Sequence, residues 1–215
     1  MKVKYTRNDT FDIVRGLAVL SMVIANMAPL YTQEFPLVLR VIFSIAAPTF
    51  ALISGVMVSF VSNKHSAGYF LTKGAFILLI AALTDKFIHD IVPFEGFDIL
   101  YFMGICVPLT FFVGRGSKTS LVVMILLSLI AGVLLRDTFG FRHGSIMSDV
   151  PAEGWGLFPA EAPYQFWFVD GSFPIFPWFG IMLFGCLLHK FYAQKKGENF
   201  FSTTPVMLLS IASLS

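Results

Sequence analysis

Three groups of polar side chains interrupt an otherwise apolar sequence, and each has a spacing that could carry chemistry. The first is Asp12, Arg15 and Asn26 within one apolar run. Asp12 and Arg15 are three residues apart, which makes them neighbours on a helix face. Asn26 lies 11 residues beyond Arg15, about three turns or roughly 16 Å further along the same face. A guanidinium at the mouth of such a helix can pair with an anion, and an amide deeper in can steady a developing oxyanion. The bland alternative is an interfacial ion pair plus an Asn that binds a neighbouring helix.

The second group closes the third apolar run: Asp85, Lys86, His89 and Asp90, with Asp98 opening the next run after a turn marked by Pro93 and Gly96. Asp85 and His89 are four apart, as are Lys86 and Asp90, so each pair shares a helix face. A carboxylate that orients an imidazole and stabilises its protonated form makes a general base. A solvated helix end would show the same residues. The third group is FPIFPWFGIMLFGCLL, Phe173 to Leu188. Pro174 and Pro177 suit a first helical turn, and Gly180 and Gly185 let another helix or a ligand approach the backbone. His65 and His189 fall in or beside short loops and are expected to be solvated; His143 falls in a long loop. No metal-ligand spacing, phosphate-cradling Gly loop or nucleophile elbow is present, and no metal is expected.

The elements that must hold these groups are helices in a bilayer. Of 215 residues, 56% are hydrophobic and 13% charged, against about a quarter charged in a soluble domain. A net charge of +2 excludes the strongly basic balance of a nucleic-acid binder. Cys106 and Cys186 each sit in an apolar run and read as small buried hydrophobes rather than a disulfide. Lys2, Lys4 and Arg7 precede an apolar stretch, but Asp12 and Arg15 interrupt its start, so a retained first helix is a better reading than a signal peptide.

A crossing needs about 20 mostly apolar residues, and the candidates are 12–30, 38–61, 69–91, 97–113, 119–135 and 173–191. The last apolar run, Pro205 to Ser215, is only 11 residues long, which suggests a sequence that stops partway through a longer protein. Ten Lys or Arg residues fall in one set of connections (Lys2, Lys4, Arg7, Lys64, Lys73, Arg115, Lys118, Lys190, Lys195 and Lys196) and four in the other (Arg40, Lys86, Arg136 and Arg142), with ten of the 13 acids on that second side. The richer side should face the cytoplasm. The expectation is an all-α, polytopic transmembrane helix bundle of about six or seven spans, a single domain over 1–215 with a cytoplasmic N-terminus. The one long connection, 137–172, carries Trp155, Phe158, Tyr164, Phe166, Trp167 and Phe168, which suit the membrane interface.

Taken in order, these runs resemble a known family. FDIVRGLAVLSMVIAN is similar to the opening D-x-x-R-G-x-A segment of membrane acyltransferases of the heparan-alpha-glucosaminide N-acetyltransferase type and their bacterial relatives. APTFALISGVMVSF resembles their P-x-F-x-x-x-x-G segment, FDILYFMGI their fourth-span G-I-L-H-F-I-G run, and FPIFPWFGIMLFGCLL their F-P-x-x-P-W-F-G-x-x-L-x-G run. The resemblance implies transfer of an acyl group, typically acetyl, from cytoplasmic acetyl-CoA to an amine or hydroxyl of a sugar or glycan outside the cytoplasm. It implies a multi-pass protein of a bacterial inner membrane, in contact with lipid and able to form a homo-oligomer or a membrane complex. Carried onto this chain, Arg15 and Asp12 would meet the CoA donor, and Asn26, His89 and Asp98 would serve the chemistry. Two positions depart from the pattern. Asn26 stands where many bacterial relatives have His, and Tyr101 stands in place of the usual fourth-span His. The connection PLYTQEF lacks the His that the heparan-alpha-glucosaminide branch carries there. A non-enzymatic subunit of a membrane complex on the same scaffold is the competing expectation.

Overall fold

The computed structural model describes residues 9–31, 37–90, 92–94, 97–139, 166–170 and 173–195; some side chains within these stretches, including those of Asp12, Asn26 and His89, lie outside the description. Among the described residues six α-helices follow one another: α1 (Asp9–Tyr31), α2 (Leu37–Val61), α3 (Ala67–Thr84), α4 (Ile99–Gly114), α5 (Lys118–Phe139) and α6 (Ile175–Lys195). Two five-residue π-helical turns, Asp85–His89 and Phe166–Asp170, extend α3 and precede α6. Among the described residues there is no strand. Each of the six apolar runs is therefore a helix, within a few residues of the expected bounds. The 11-residue run from Pro205 lies outside the described residues.

Among the described residues, three stretches are long and apolar enough to cross a membrane: Ser44–Val61, Ala67–Ile88 and Lys118–Leu135. Shorter apolar stretches occupy Ile13–Ile24, Ile99–Gly114 and Ile175–Phe191. Α4, for example, has 16 residues and spans about 24 Å, short of a roughly 30 Å hydrocarbon core.

Local chemistry sets the helix ends. Asp98 sits in extended backbone before α4, and its carboxylate accepts from Leu100 N–H at 2.9 Å and Tyr101 N–H at 3.2 Å, an N-cap that satisfies two otherwise orphaned donors. Ser117 does the same for α5, its hydroxyl accepting from Ser120 N–H at 3.0 Å. In α6, Phe176 is extended (φ −104°, ψ 123°), the conformation a following proline favours, so Pro177 opens the regular helical turns.

The helices form two layers. Α2, α4 and α6 touch one another at the centre, and each carries one outer helix: α1 on α2, α3 on α4, α5 on α6. The core is built mainly from the inner three, with Ala51, Tyr101, Phe102, Cys106, Met182, Leu183 and Cys186 all fully buried. The outer helices turn Leu20, Phe76, Leu79, Leu127 and Val133 outward, as lipid-facing surfaces do.

Small residues make the inner contacts possible. A Cβ on Gly55 would fall on the Met182 carbonyl oxygen, and one on Gly185 on the Leu52 carbonyl oxygen. The α2–α6 crossing is therefore backbone against backbone, and Cys186 Sγ donates to Gly55 O at 3.1 Å across it. Between α3 and α4, Pro108 lacks the N–H that would bond the Gly104 carbonyl. That oxygen faces Gly74, where an added Cβ would sit 2.5 Å from it.

Candidate functional site

The two ends of the bundle differ in chemistry. One end gathers the α2–α3 connection, the α4–α5 turn and the last turns of α6. Here cations lie on aromatic faces: Lys64 over Phe60 at 5.2 Å, Lys73 over Tyr69 at 4.6 Å, Arg115 over Phe111 at 4.8 Å and Lys118 over Phe191 at 4.1 Å. Such contacts hold a cation at the rim of an apolar body. Lys190 Nζ donates to the Gly116 carbonyl, tying α6 to the α4–α5 turn.

Both histidines expected to be merely solvated have ring partners at this end. His189 Nδ1 lies 2.9 Å from the buried Ser59 hydroxyl, and Phe60 stands edge-on to its ring at 5.8 Å. His65 stacks on Tyr69 at 4.0 Å, though it remains exposed. For His189 the expectation is corrected: placement near a helix end does not keep a side chain in water when α2 and α6 cross so closely.

The opposite end is acidic and aromatic. Asp85, the first residue of the π-helical turn after α3, is only 5% exposed. The fully buried Tyr101 hydroxyl donates to its Oδ2 at 2.5 Å, and among the described residues no other donor reaches this carboxylate. The same phenolic oxygen accepts from Phe94 N–H at 3.1 Å, and Trp167 Nε1 donates to the Phe94 carbonyl at 3.1 Å. Phe94 thus has both backbone groups held by side chains. It needs them, because its φ of 72° is a left-handed conformation that costs a bulky residue about 1–3 kcal/mol. Phe97 packs against Tyr101 and Trp167, with centroids 6.1 and 5.6 Å away. Asp90, which ends the turn at φ 53°, and Lys86 are exposed at the rim.

The residues singled out from sequence fall in different places. Arg15 is exposed on α1, whose contact with α2 runs through Val14 and Ala18. It is not turned into the bundle. Asp12, Asn26 and His89 lie on α1 and on the π-helical turn, with side chains outside the described residues. Asp98 stands three residues before Tyr101 and caps α4 through Oδ1. His143 lies outside the described residues. The partner of Asp85 is the residue that sequence reading missed. The spacing offered His89, four residues on, whereas the buried donor comes from Tyr101, 16 residues away on α4. A resemblance that places a family histidine at this position was the available signal. Among the described residues, no three His, Cys, Asp or Glu side chains come together as metal ligands.

An all-helical body with membrane-length apolar helices and a carboxylate enclosed at helix depth defines a membrane protein built around polar chemistry. The chain belongs to the heparan-alpha-glucosaminide N-acetyltransferase catalytic family, whose model matches residues 7–214. No curated protein and no solved structure matches it. The family is membrane-associated and of acetyltransferase type, with acetyl-CoA as its general donor.

Proposed function

We propose that the chain passes an acyl group, acetyl in the simplest case, from CoA at the cation-bearing end to an amine or hydroxyl of a sugar-like acceptor at the acidic, aromatic end. The supporting observation is the chemical division of one bundle: Lys64, Lys73, Arg115, Lys118 and Lys190 at one end, Asp85, Asp90 and Asp98 with Phe94, Phe97 and Trp167 at the other. Tyr101 and Arg115 are 14 residues apart on and just beyond α4, or about 21 Å. On this reading the cation-bearing end and the N-terminus face the cytoplasm, and the protein is a multi-pass resident of a bacterial inner membrane.

The exposed guanidinium of Arg15 and its neighbour Asp12 attend the donor's phosphate-bearing head. Between the two ends, the buried hydroxyls of Thr110 and Ser128 find no partner among the described residues, and such groups suit the amides of a pantetheine arm. Asn26 steadies the oxyanion of the attacked thioester, while His89 and Asp98 attend the acceptor. The reaction forms a C–N or C–O bond at the thioester carbonyl carbon and breaks its C–S bond.

The test is purified protein in liposomes, with labelled acetyl-CoA on one side and glucosamine on the other. Acetylated glucosamine should appear on the far side, and Arg15→Ala should raise KM for acetyl-CoA by about tenfold, the loss of one charge-assisted contact. Absence of both turnover and acetyl-CoA binding, with Arg15→Ala changing nothing, rejects the proposal. The second reading, a non-enzymatic subunit, draws on Asn26 and Tyr101 standing in the family's histidine positions. Stable co-purification with other membrane proteins and no acetyl-CoA binding would favour it.

A further inference from the structure

We infer that Asp85 is the group that takes the acceptor's proton, with Tyr101 as its positioning residue. This rests on the acyl-transfer reading and adds to it the base that the chain otherwise lacks at the family's histidine positions. Three observations carry it.

The first is the unfilled carboxylate. An ionised carboxylate offers about four lone-pair sites, and enclosing one away from water is costly unless they are used. Asp85 is nearly fully buried, yet among the described residues Tyr101 alone donates to it, at Oδ2. A purely structural carboxylate at this depth would be expected to collect more donors; Asp98, three residues before Tyr101, takes two backbone N–H groups.

The second is the direction of the Tyr101 hydrogen bonds. Phe94 N–H donates to the phenolic oxygen, so the hydroxyl proton points to Asp85. Tyr101 is fully buried and packed by Phe94 and Phe97. Its proton is committed, which leaves Asp85 as the member of the pair with capacity to accept another. Asp98 already uses Oδ1 to cap α4. Lys86 and Asp90, the other charged groups at this turn, are exposed.

The third is the strained backbone of Phe94, which Tyr101 and Trp167 hold from both sides. A position that costs free energy and is clamped by two long side chains fixes the phenol, and through it the carboxylate.

The acceptor nitrogen or oxygen forms a bond to the thioester carbonyl carbon, and its proton passes to Asp85 Oδ1. The C–S bond breaks with its electron pair on sulfur. The CoA thiolate takes a proton from water, and Asp85 returns its own to water.

The experiment compares wild type, D85N, D85E and Y101F in liposomes with acetyl-CoA and glucosamine, alongside thermal unfolding to show that each variant is folded. D85N should lower kcat by about 10²–10⁴-fold, the usual worth of a positioned base, with KM for acetyl-CoA unchanged and partial recovery in D85E. Y101F should lower kcat by roughly ten- to a hundredfold, again without a KM effect; a role limited to stability would lower the unfolding temperature and leave kcat of the folded fraction intact. Independently of turnover, infrared difference spectra should show a carboxylate stretching band that shifts when glucosamine is added and is missing in D85N. Wild-type kcat retained in folded D85N overturns this assignment alone. No wild-type turnover, together with a carboxylate band that ignores glucosamine, overturns both this and the acyl-transfer reading.

Discussion

Replacing Gly55 or Gly185 by Ala should separate the two central helices, and the size of the effect follows from the backbone contacts. At either position the new methyl meets a carbonyl oxygen of the facing helix, Met182 O or Leu52 O, deep inside contact distance. Neither is the tip of a side chain that can rotate away, so α2 and α6 must move apart by about 1 Å or more along their seam. Overpacking of this kind costs about 1–3 kcal/mol, occasionally more, and a rigid backbone obstacle puts it at the upper end. Separation also stretches the Cys186–Gly55 and Ser59–His189 hydrogen bonds, each worth about 0.6 kcal/mol between membrane helices. The sum is about 4 kcal/mol. Two glycines serve as controls. Gly180 would place its methyl 3.3 Å from the Ser128 side chain, and Gly16 would meet nothing within 4 Å. Gly180→Ala should cost about 1 kcal/mol or less, and Gly16→Ala should be neutral or stabilising by up to about 1 kcal/mol from helix propensity. Reversible unfolding in mixed micelles of a mild detergent and SDS would rank the four variants. If Gly55→Ala and Gly185→Ala unfold together with Gly16→Ala, the close backbone crossing is wrong.

Asp98→Ala should cost about 1 kcal/mol in the same unfolding assay by removing the α4 cap, and Asp98→Asn should retain most of that stability. Trp167→Phe removes the hydrogen bond to the Phe94 carbonyl while keeping an aromatic ring; it should destabilise by about 1 kcal/mol and speed amide exchange at Phe94, and unchanged exchange would argue against the clamp. Cys106 and Cys186 are both fully buried, so a maleimide should report only on introduced thiols. In intact cells a membrane-impermeant maleimide should label Asp90→Cys and spare Lys64→Cys, and the reverse pattern would invert the proposed orientation.

Much of the fold is legible in the sequence because each helix is a long apolar run whose ends carry readable chemistry. Asp98 before an apolar stretch and Pro177 at a helix start announce themselves through spacing alone. The layering is not legible. Beyond the stripe on α1, the apolar runs carry no polar face that marks the inside. Gly180 and Gly185 stand out in the sequence as sites of close approach, whereas Gly55 and Gly104 do not, and the sequence does not say which helix each one meets. The site divides in the same way. Asp85 stands out as an acid within an apolar stretch, whereas its link to Tyr101 depends on α3 packing against α4. The Ser59–His189 contact joins residues 130 apart and has no local signature. Arg15 and Asn26 share a helix stripe by spacing, but spacing cannot say which neighbour that stripe faces.

The pairing of one outer with one inner helix runs in chain order, which makes the protein three successive hairpins: α1–α2, α3–α4 and α5–α6. The joints between hairpins, residues 62–66 and 115–117, lie at the end opposite Asp85. A backbone cut at either joint would leave each hairpin whole. Two separately translated pieces could then insert side by side and find each other through the small residues on their even-numbered members, making the two joints natural places to divide the polypeptide or to graft a reporter.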